Sequence, residues 1–321
     1  MTAAQTAVVI GGGIAGPVTA MALQLAGIQA TVHEAYASAA DGVGGMLGLA
    51  PNGLDALAAI DLDGPVRRVA EPVSAMVVQS WTGKQLATFD DPSGKPIMHL
   101  VWRADLYRAL YDEAKRRKIM IEHSHRFVEA DESRDAIAAR FSDGSTASAD
   151  VLIGADGIRS TVRSMIDLTA PPPDYTGLIG LGGWSRGAAL ASTNSNYNMI
   201  FGKKAFFGYQ VPEDGQVGWF ANLPHRERLT LAQARAVSPE QWLRLLADAF
   251  AAEDAGCEYH CPHLTGRPDD HRRTGDHANR PRVESGSYRT RRGRGSCAVI
   301  ELRPGRLHGD RGCRRTRSLP A

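Results

Sequence analysis

The sequence predicts an α/β fold, with a nucleotide-binding domain on a mostly parallel sheet and a smaller antiparallel-sheet domain beside it. Three observations predict it. Residues 6–34 read as strand, glycine turn, helix and strand. Residues 151–163 run from a strand through a second glycine turn towards a helix. Residues 175–223, beyond Pro171-Pro172-Pro173, are rich in short apolar strands. Strands alternating with helices build parallel sheets, whereas strands separated by turns build antiparallel ones.

The first stretch dictates most of the chemistry. Thr6 to Ile10 is a short, apolar, β-branched run of the kind that forms a buried parallel strand. It breaks at Gly11-Gly12-Gly13-Ile14-Ala15-Gly16, a G-x-G-x-x-G with its glycines at 11, 13 and 16. Val18, Met21, Ala22 and Leu25 then recur at helical spacing up to Gly27, and Ala30 to Val32 forms a strand delivering Glu34. Each glycine has its own task. Gly11 lets the chain turn off the strand, Gly13 admits a pyrophosphate to the backbone, and Gly16 lets helix and strand pack closely. The helix start at Ile14 and Ala15 offers unpaired N–H groups and partial positive charge to that phosphate. Glu34 can accept both hydroxyls of an adenosine ribose and would repel a 2′-phosphate. The tightly held nucleotide is therefore FAD or NAD rather than NADP.

Composition bounds the rest. With 321 residues, 43% of them hydrophobic, the chain is expected to be globular, with one to three domains. No apolar run approaches the ~18 residues of a membrane span, and no basic leader precedes the first strand, so a cytoplasmic enzyme is expected. The net charge of +2 hides an asymmetry. Residues 257–321 hold 15 arginines, no lysine and 7 acids, against 22 basic and 28 acidic residues before them. All four cysteines (Cys257, Cys261, Cys297, Cys313) also lie in that stretch.

Further along, residues 41–60 read as a glycine-rich loop and a helix from about Pro51. Val73 to Phe89 reads as a hairpin turning at Thr82-Gly83-Lys84. His99 to Trp102 is a strand ending at Arg103. Ala104 to Lys118 is a helix with Leu106, Leu110 and Ala114 on one face, and its basic end suits the negative C-terminus. Strands 136–141 and 146–151 flank the turn pair Asp143-Gly144, and the second runs on through Leu152 and Ile153 into Gly154-Ala155-Asp156-Gly157. A helix is expected from Ser160. Strands follow at 179–184, 199–201, 206–211 and 216–223. Ser238-Pro239-Glu240-Gln241 opens a helix with Trp242, Leu245, Leu246, Ala249 and Phe250 on its apolar stripe. His99, Tyr197, Tyr209 and Trp219 can line a pocket, but core packing is the favoured role for the aromatics.

GGGIAG with Glu34, Arg103 in VWRADLYRAL, and GADGIRSTVR at residues 154–163 together resemble the flavin-dependent monooxygenases of the aromatic-hydroxylase type. The resemblance covers roughly residues 6–250 and makes the first domain an FAD-binding, Rossmann-like one. It implies that Gly11, Gly13, Ile14, Ala15, Gly16 and Glu34 hold FAD with Gly154, Asp156 and Gly157, and that Arg103 contacts its flavin side. It also implies NAD(P)H as electron donor, and molecular oxygen and a small aromatic or polycyclic molecule as substrates. Because the flavin supplies the hydroxylation chemistry, no catalytic acid or base is named. A flavin oxidoreductase that inserts no oxygen and a non-catalytic fragment are the alternatives.

The family's third motif, a G-Q-G segment opening a helix, is missing in frame. Back-translating Cys297 to Arg317 and sliding the frame one base forward permits APSSSSGQGASMAIEDAVVLA, which closely matches that segment. The 257–321 tail therefore reads as a frameshifted text and is expected to be disordered. No metal is expected: Cys257, His260, Cys261 and His263 fit no standard zinc spacing. Nor does the Arg289–Arg294 run carry an aromatic or helical pattern for nucleic acid. The expected division is an FAD-binding domain at 1–172, a substrate domain at 173–256, and the tail.

Overall fold

The computed structural model describes residues 4–37, 45–185, 190–213 and 215–250, and three short strands beyond, Arg282–Glu284, Tyr288–Arg289 and Glu301–Leu302. At its centre is a five-stranded sheet in the order Glu301–Leu302, Val151–Gly154, Thr6–Ile10, Gln29–His33, Met120–Glu122. The last four are mutually parallel, and Glu301–Leu302 runs antiparallel on the edge.

Thr6–Ile10 is apolar throughout because both of its faces are covered. Ala7 and Val9 face Ala20, Ala30, Val32, Val151 and Ile153 on one side. Val8 and Ile10 face Phe127, Ile137, Phe141 and Leu152 on the other, beneath the small antiparallel sheet Phe127–Glu132, Ile137–Phe141, Thr146–Ala149. The helix Ala15–Leu25 buries Gly16, Pro17, Ala20 and Met21, while Leu25 is more than half exposed. The stripe read at Val18, Met21, Ala22 and Leu25 is thus rotated. Small residues, not bulky ones, allow the helix to approach the sheet.

The long strand expected from Thr146 into Gly154 is two strands. The break is at Asp150, whose Oδ2 accepts from the backbone N–H groups of Gln5 (2.7 Å) and Thr6 (2.8 Å) and from the Thr6 hydroxyl (3.0 Å). One carboxylate thereby ends the hairpin sheet, starts the parallel strand and registers it against Thr6–Ile10.

A seven-stranded sheet forms the second layer, in the order Arg282–Glu284, Leu178–Ser185, Val217–Pro224, Phe206–Gln210, Asn196–Phe201, Ala75–Ser80, Gln85–Asp90. Its pairings are antiparallel except that Asn196–Phe201 runs parallel to Ala75–Ser80. The hairpin read at residues 73–89 therefore belongs to this sheet, although it precedes the proline run near 172. A boundary in the sequence cannot separate sheets that share strands from both sides of it. Phe207, Trp219, Ile179 and Leu181 pack under Trp242, Leu246 and Phe250 of the helix Pro239–Phe250, whereas Leu245 is half exposed. That helix opens as read, with the Gln241 N–H on the Ser238 hydroxyl and the Ser238 N–H on the Gln241 side-chain oxygen.

A third sheet, Met46–Leu49, Met98–Trp102 and Glu71–Val73, leads into the helix Arg103–Arg116. Leu106, Leu110 and Ala114 of that helix are buried against Met21, Leu54, Leu62 and Val66. Most of 257–321, with its cysteines and residues 290–294 of the arginine-rich run, lies outside the described residues, and the disorder expected there concerns those residues. The three short strands in that stretch each pair with a strand of the main body. No helix among the described residues is long and apolar enough to cross a membrane.

Candidate functional site

The two glycine motifs, some 140 residues apart in sequence, meet at the carboxyl ends of neighbouring parallel strands. Gly11 turns there with φ +106°, a backbone conformation that L side chains rarely adopt. Its N–H donates to His33 O (2.8 Å), and Ala155 N–H donates to Ile10 O (2.7 Å). A methyl on Gly11 would stand 2.5 Å from Ala155 O and 2.8 Å from Asp156 Cα, so glycine is what lets the motifs touch. A methyl on Gly16 would overlap Gly11 O, which brings the helix start onto the loop. Gly13 differs: a methyl there meets nothing within 4 Å. The protein leaves the space in front of Gly13 open.

Ile14 is the N-cap of the helix Ala15–Leu25, with no side-chain cap and no acid in the first turn. Its leading N–H groups therefore have no side-chain acceptor, the arrangement that binds anions. Glu34 follows the strand Gln29–His33 and reaches back to this loop. Its Oε2 accepts from Gly12 N–H (2.6 Å) and its Oε1 from Tyr36 N–H (2.9 Å). Each oxygen keeps a further lone pair for a ligand hydroxyl.

Sequence reading missed Tyr111. A methyl on Gly12 would meet the Tyr111 hydroxyl and the Glu34 Cβ, both at 2.8 Å. Burial first, then neighbouring Tyr107 and Glu34, push that phenol above its ordinary pKa. The spacing Tyr107, Leu110, Tyr111, Ala114 along one face of the helix was the available signal, but it reads equally as core.

Arg103 begins the same helix, eight residues and so about 12 Å of helix axis from Tyr111. Its N–H donates to Gly45 O (3.0 Å), and its partly buried side chain makes no hydrogen bond or ion pair with a described residue. The Asp156 carboxylate is committed to protein. Its Oδ1 accepts from the Ser160 hydroxyl (2.5 Å), and its Oδ2 accepts from the N–H groups of Thr161 (2.7 Å) and Val162 (3.2 Å). Ser160 in turn accepts from Arg163 N–H and caps the helix Thr161–Ile166. Gly154 ends the strand, and a methyl there would press on Val162 at 2.8 Å, so it seats this helix against the sheet. Gly157 turns with φ +80° and faces open space.

The pocket residues considered from sequence are buried. Tyr197 packs with Val73 and Leu100, while Tyr209 and Trp219 lie in the large core. His99 sits 3.5 Å from the Arg67 guanidinium, and burial first, then that cation, lower its pKa.

A turn stripped of Cβ, an open face at Gly13, an uncapped helix start and a carboxylate one strand away fit an adenine dinucleotide. A family model described as an FAD binding domain matches residues 4–201. The chain belongs to the FAD binding domain family. Within that family, it is 36% identical over 176 residues to a 3-amino-4-hydroxybenzoate 2-monooxygenase, PtnB3, of Streptomyces platensis, covering 53% of this chain and 43% of the relative. It is 29% identical over 184 residues to an FAD-dependent urate hydroxylase of Klebsiella pneumoniae subsp. pneumoniae, covering 55% of this chain and 47% of that protein. The chain thus spans less than half the length of these curated relatives. Among solved structures, Klebsiella pneumoniae HpxO complexed with FAD and uric acid superposes with a TM-score of 0.70 at 22% identity, covering 88% of this chain and 67% of that one. The fold is that of the FAD-binding monooxygenases, and FAD is the dinucleotide the family model assigns to it.

Proposed function

We propose that this chain is the FAD-holding and substrate-facing part of an NAD(P)H-dependent, cytoplasmic monooxygenase that hydroxylates a small aromatic or heteroaromatic molecule with oxygen. One observation carries the reading: the Gly11 turn lies against the backbone of Ala155 and Asp156 while Gly13 faces open space. Such a cradle serves a diphosphate and little else. The relatives named above are a monooxygenase of a substituted benzoate and a urate hydroxylase, which supports the substrate class.

In this reading the chain's residues bind, orient and shield. The N–H groups around Gly13, Ile14 and Ala15 take the diphosphate, helped by the positive end of the helix. Glu34 takes the ribose hydroxyls without giving up its bond to Gly12. Arg103 brings a planar, permanently charged donor fork to the flavin side. Asp156 acts by positioning: capping Thr161–Ile166 holds Ala155 and Gly157 where their backbone faces the phosphate. The seven-stranded sheet lies on the substrate side, and Trp184 in it tilts against Trp102 with ring centroids 5.1 Å apart. FAD, when bound, supplies the electron storage and oxygen activation.

A second reading is favoured by the absence of the third flavin motif in frame: a chain that binds FAD but does not turn over. Absorbance of the purified protein, FAD titration, and oxygen uptake with NADH or NADPH and an aminohydroxybenzoate or urate separate the two. Bound yellow flavin with substrate-dependent oxygen uptake supports the monooxygenase. Bound flavin without uptake supports the second reading, and no flavin binding at saturating FAD overturns both.

A further inference from the structure

Away from the cradle, on the face of the parallel sheet under the small hairpin sheet, His33, Glu122 and His125 converge on one point. His33 Nδ1 lies 3.0 Å from His125 Nδ1, and Glu122 Oε2 lies 3.0 Å from His125 Nδ1 and 3.6 Å from His33 Nδ1. We infer that these three side chains form a binding site for a divalent transition-metal ion of the zinc class.

The donor triangle has the right size. Three corners of a tetrahedron with bonds of about 2.0–2.1 Å stand about 3.3–3.4 Å apart, and the edges here bracket that value. Two imidazoles and one carboxylate are the ligand types that borderline divalent ions take. Without an ion, one proton bridges the two Nδ1 atoms, whose rings lie 10° from parallel, while His33 Nε2 is buried with no partner among the described residues. A metal ion displaces that proton and engages all three donors at once, with some turn of the half-open His125 ring.

The surroundings agree. His33 is only 3% exposed and stacks on Phe141 at 4.6 Å, which fixes one ligand rigidly. The far nitrogen of His125, Nε2, lies 3.8 Å from Asp143 Oδ2, so a carboxylate stands behind this ring without a direct hydrogen bond to it. Beside the triad opens a cavity of about 350 Å³, lined by the three side chains together with Thr6, Thr31, Thr146 and Ser148. The three ligands come from the strand that carries Glu34 as its next residue, from the adjoining strand, and from the turn after it, so an ion here would clamp three segments together.

The test uses the full-length chain with Cys257, Cys261, Cys297 and Cys313 changed to serine, stripped with a chelator and titrated with Zn²⁺ against a chromophoric competitor. One equivalent should bind with a dissociation constant of about 1 µM or tighter. Affinity for that equivalent should fall at least about tenfold in His125→Ala and in Glu122→Gln, both partly exposed positions that tolerate change. FAD titration of the same samples should be unaltered, so the outcome is independent of the flavin reading. Absence of a stoichiometric equivalent, or one bound equally well by both variants, overturns the site.

Discussion

Gly13→Ala separates the cradle's ligand from its protein framework. Because a methyl at Gly13 meets no atom within 4 Å and the residue does not sit at positive φ, the folded chain accommodates it without strain. Replacing glycine where alanine fits raises stability by about 0.4–1 kcal/mol through the unfolded chain. The bound diphosphate, by contrast, must approach this backbone, and the methyl occupies its path. Loss of one charge-assisted hydrogen bond costs about 1.5–3 kcal/mol. At 1.4 kcal/mol per decade that is a roughly 10- to 150-fold weaker dissociation constant for FAD. The two effects have opposite signs, and few substitutions do that. Thermal or urea unfolding without FAD measures the stability gain, and quenching of flavin fluorescence on titration measures the loss of affinity. Wild-type FAD affinity in Gly13→Ala would refute the placement of the diphosphate at this loop. Lowered stability would refute the reading that the space there belongs to the ligand.

Gly11→Ala should behave differently, losing about 2–4 kcal/mol of stability even without FAD, because its methyl strikes the backbone of residues 155 and 156 at a positive φ; urea unfolding reads this. Glu34→Arg should abolish flavin retention on gel filtration, since it removes the ribose acceptor and the partner of Gly12 N–H. Asp156→Ala should cost about 1–2 kcal/mol as a lost cap, seen as a lower melting temperature of the flavin-free chain. Glu113 is held at about 2 by hydrogen bonds from Arg116 and then Arg117, well below its ordinary 4.5. Its contribution is fully present above pH 4.5 and lost as pH falls through about 2. Glu113→Gln should therefore lower stability at pH 7 and flatten the acid limb below pH 4.5, as followed by circular dichroism.

Much of the cradle was legible in the sequence because it is local. A tight turn, a close approach and a helix start each demand a particular residue within a few positions, and Gly11, Gly13, Gly16 and Ser160 answer those demands one by one. The split at Asp150 was hidden because residues 146–154 carry no turn signal. What ends the strand is a carboxylate reaching Gln5 and Thr6 from across the sheet. Leu25 and Leu245 fit a helical stripe, yet each is half exposed or more, since periodicity identifies a face but not what covers it.

The sequence by itself determined that residues 6–34 form a strand, a glycine turn, a helix and a second strand, because backbone sterics and peptide dipoles act over short stretches of chain. Only the tertiary structure decided what distant segments share: that Ala155 closes on Gly11, that the hairpin at 75–90 joins the sheet of 178–224, and that His33, Glu122 and His125 point at one another. Those pairings depend on how separate elements pack, and no single stretch of sequence contains both partners.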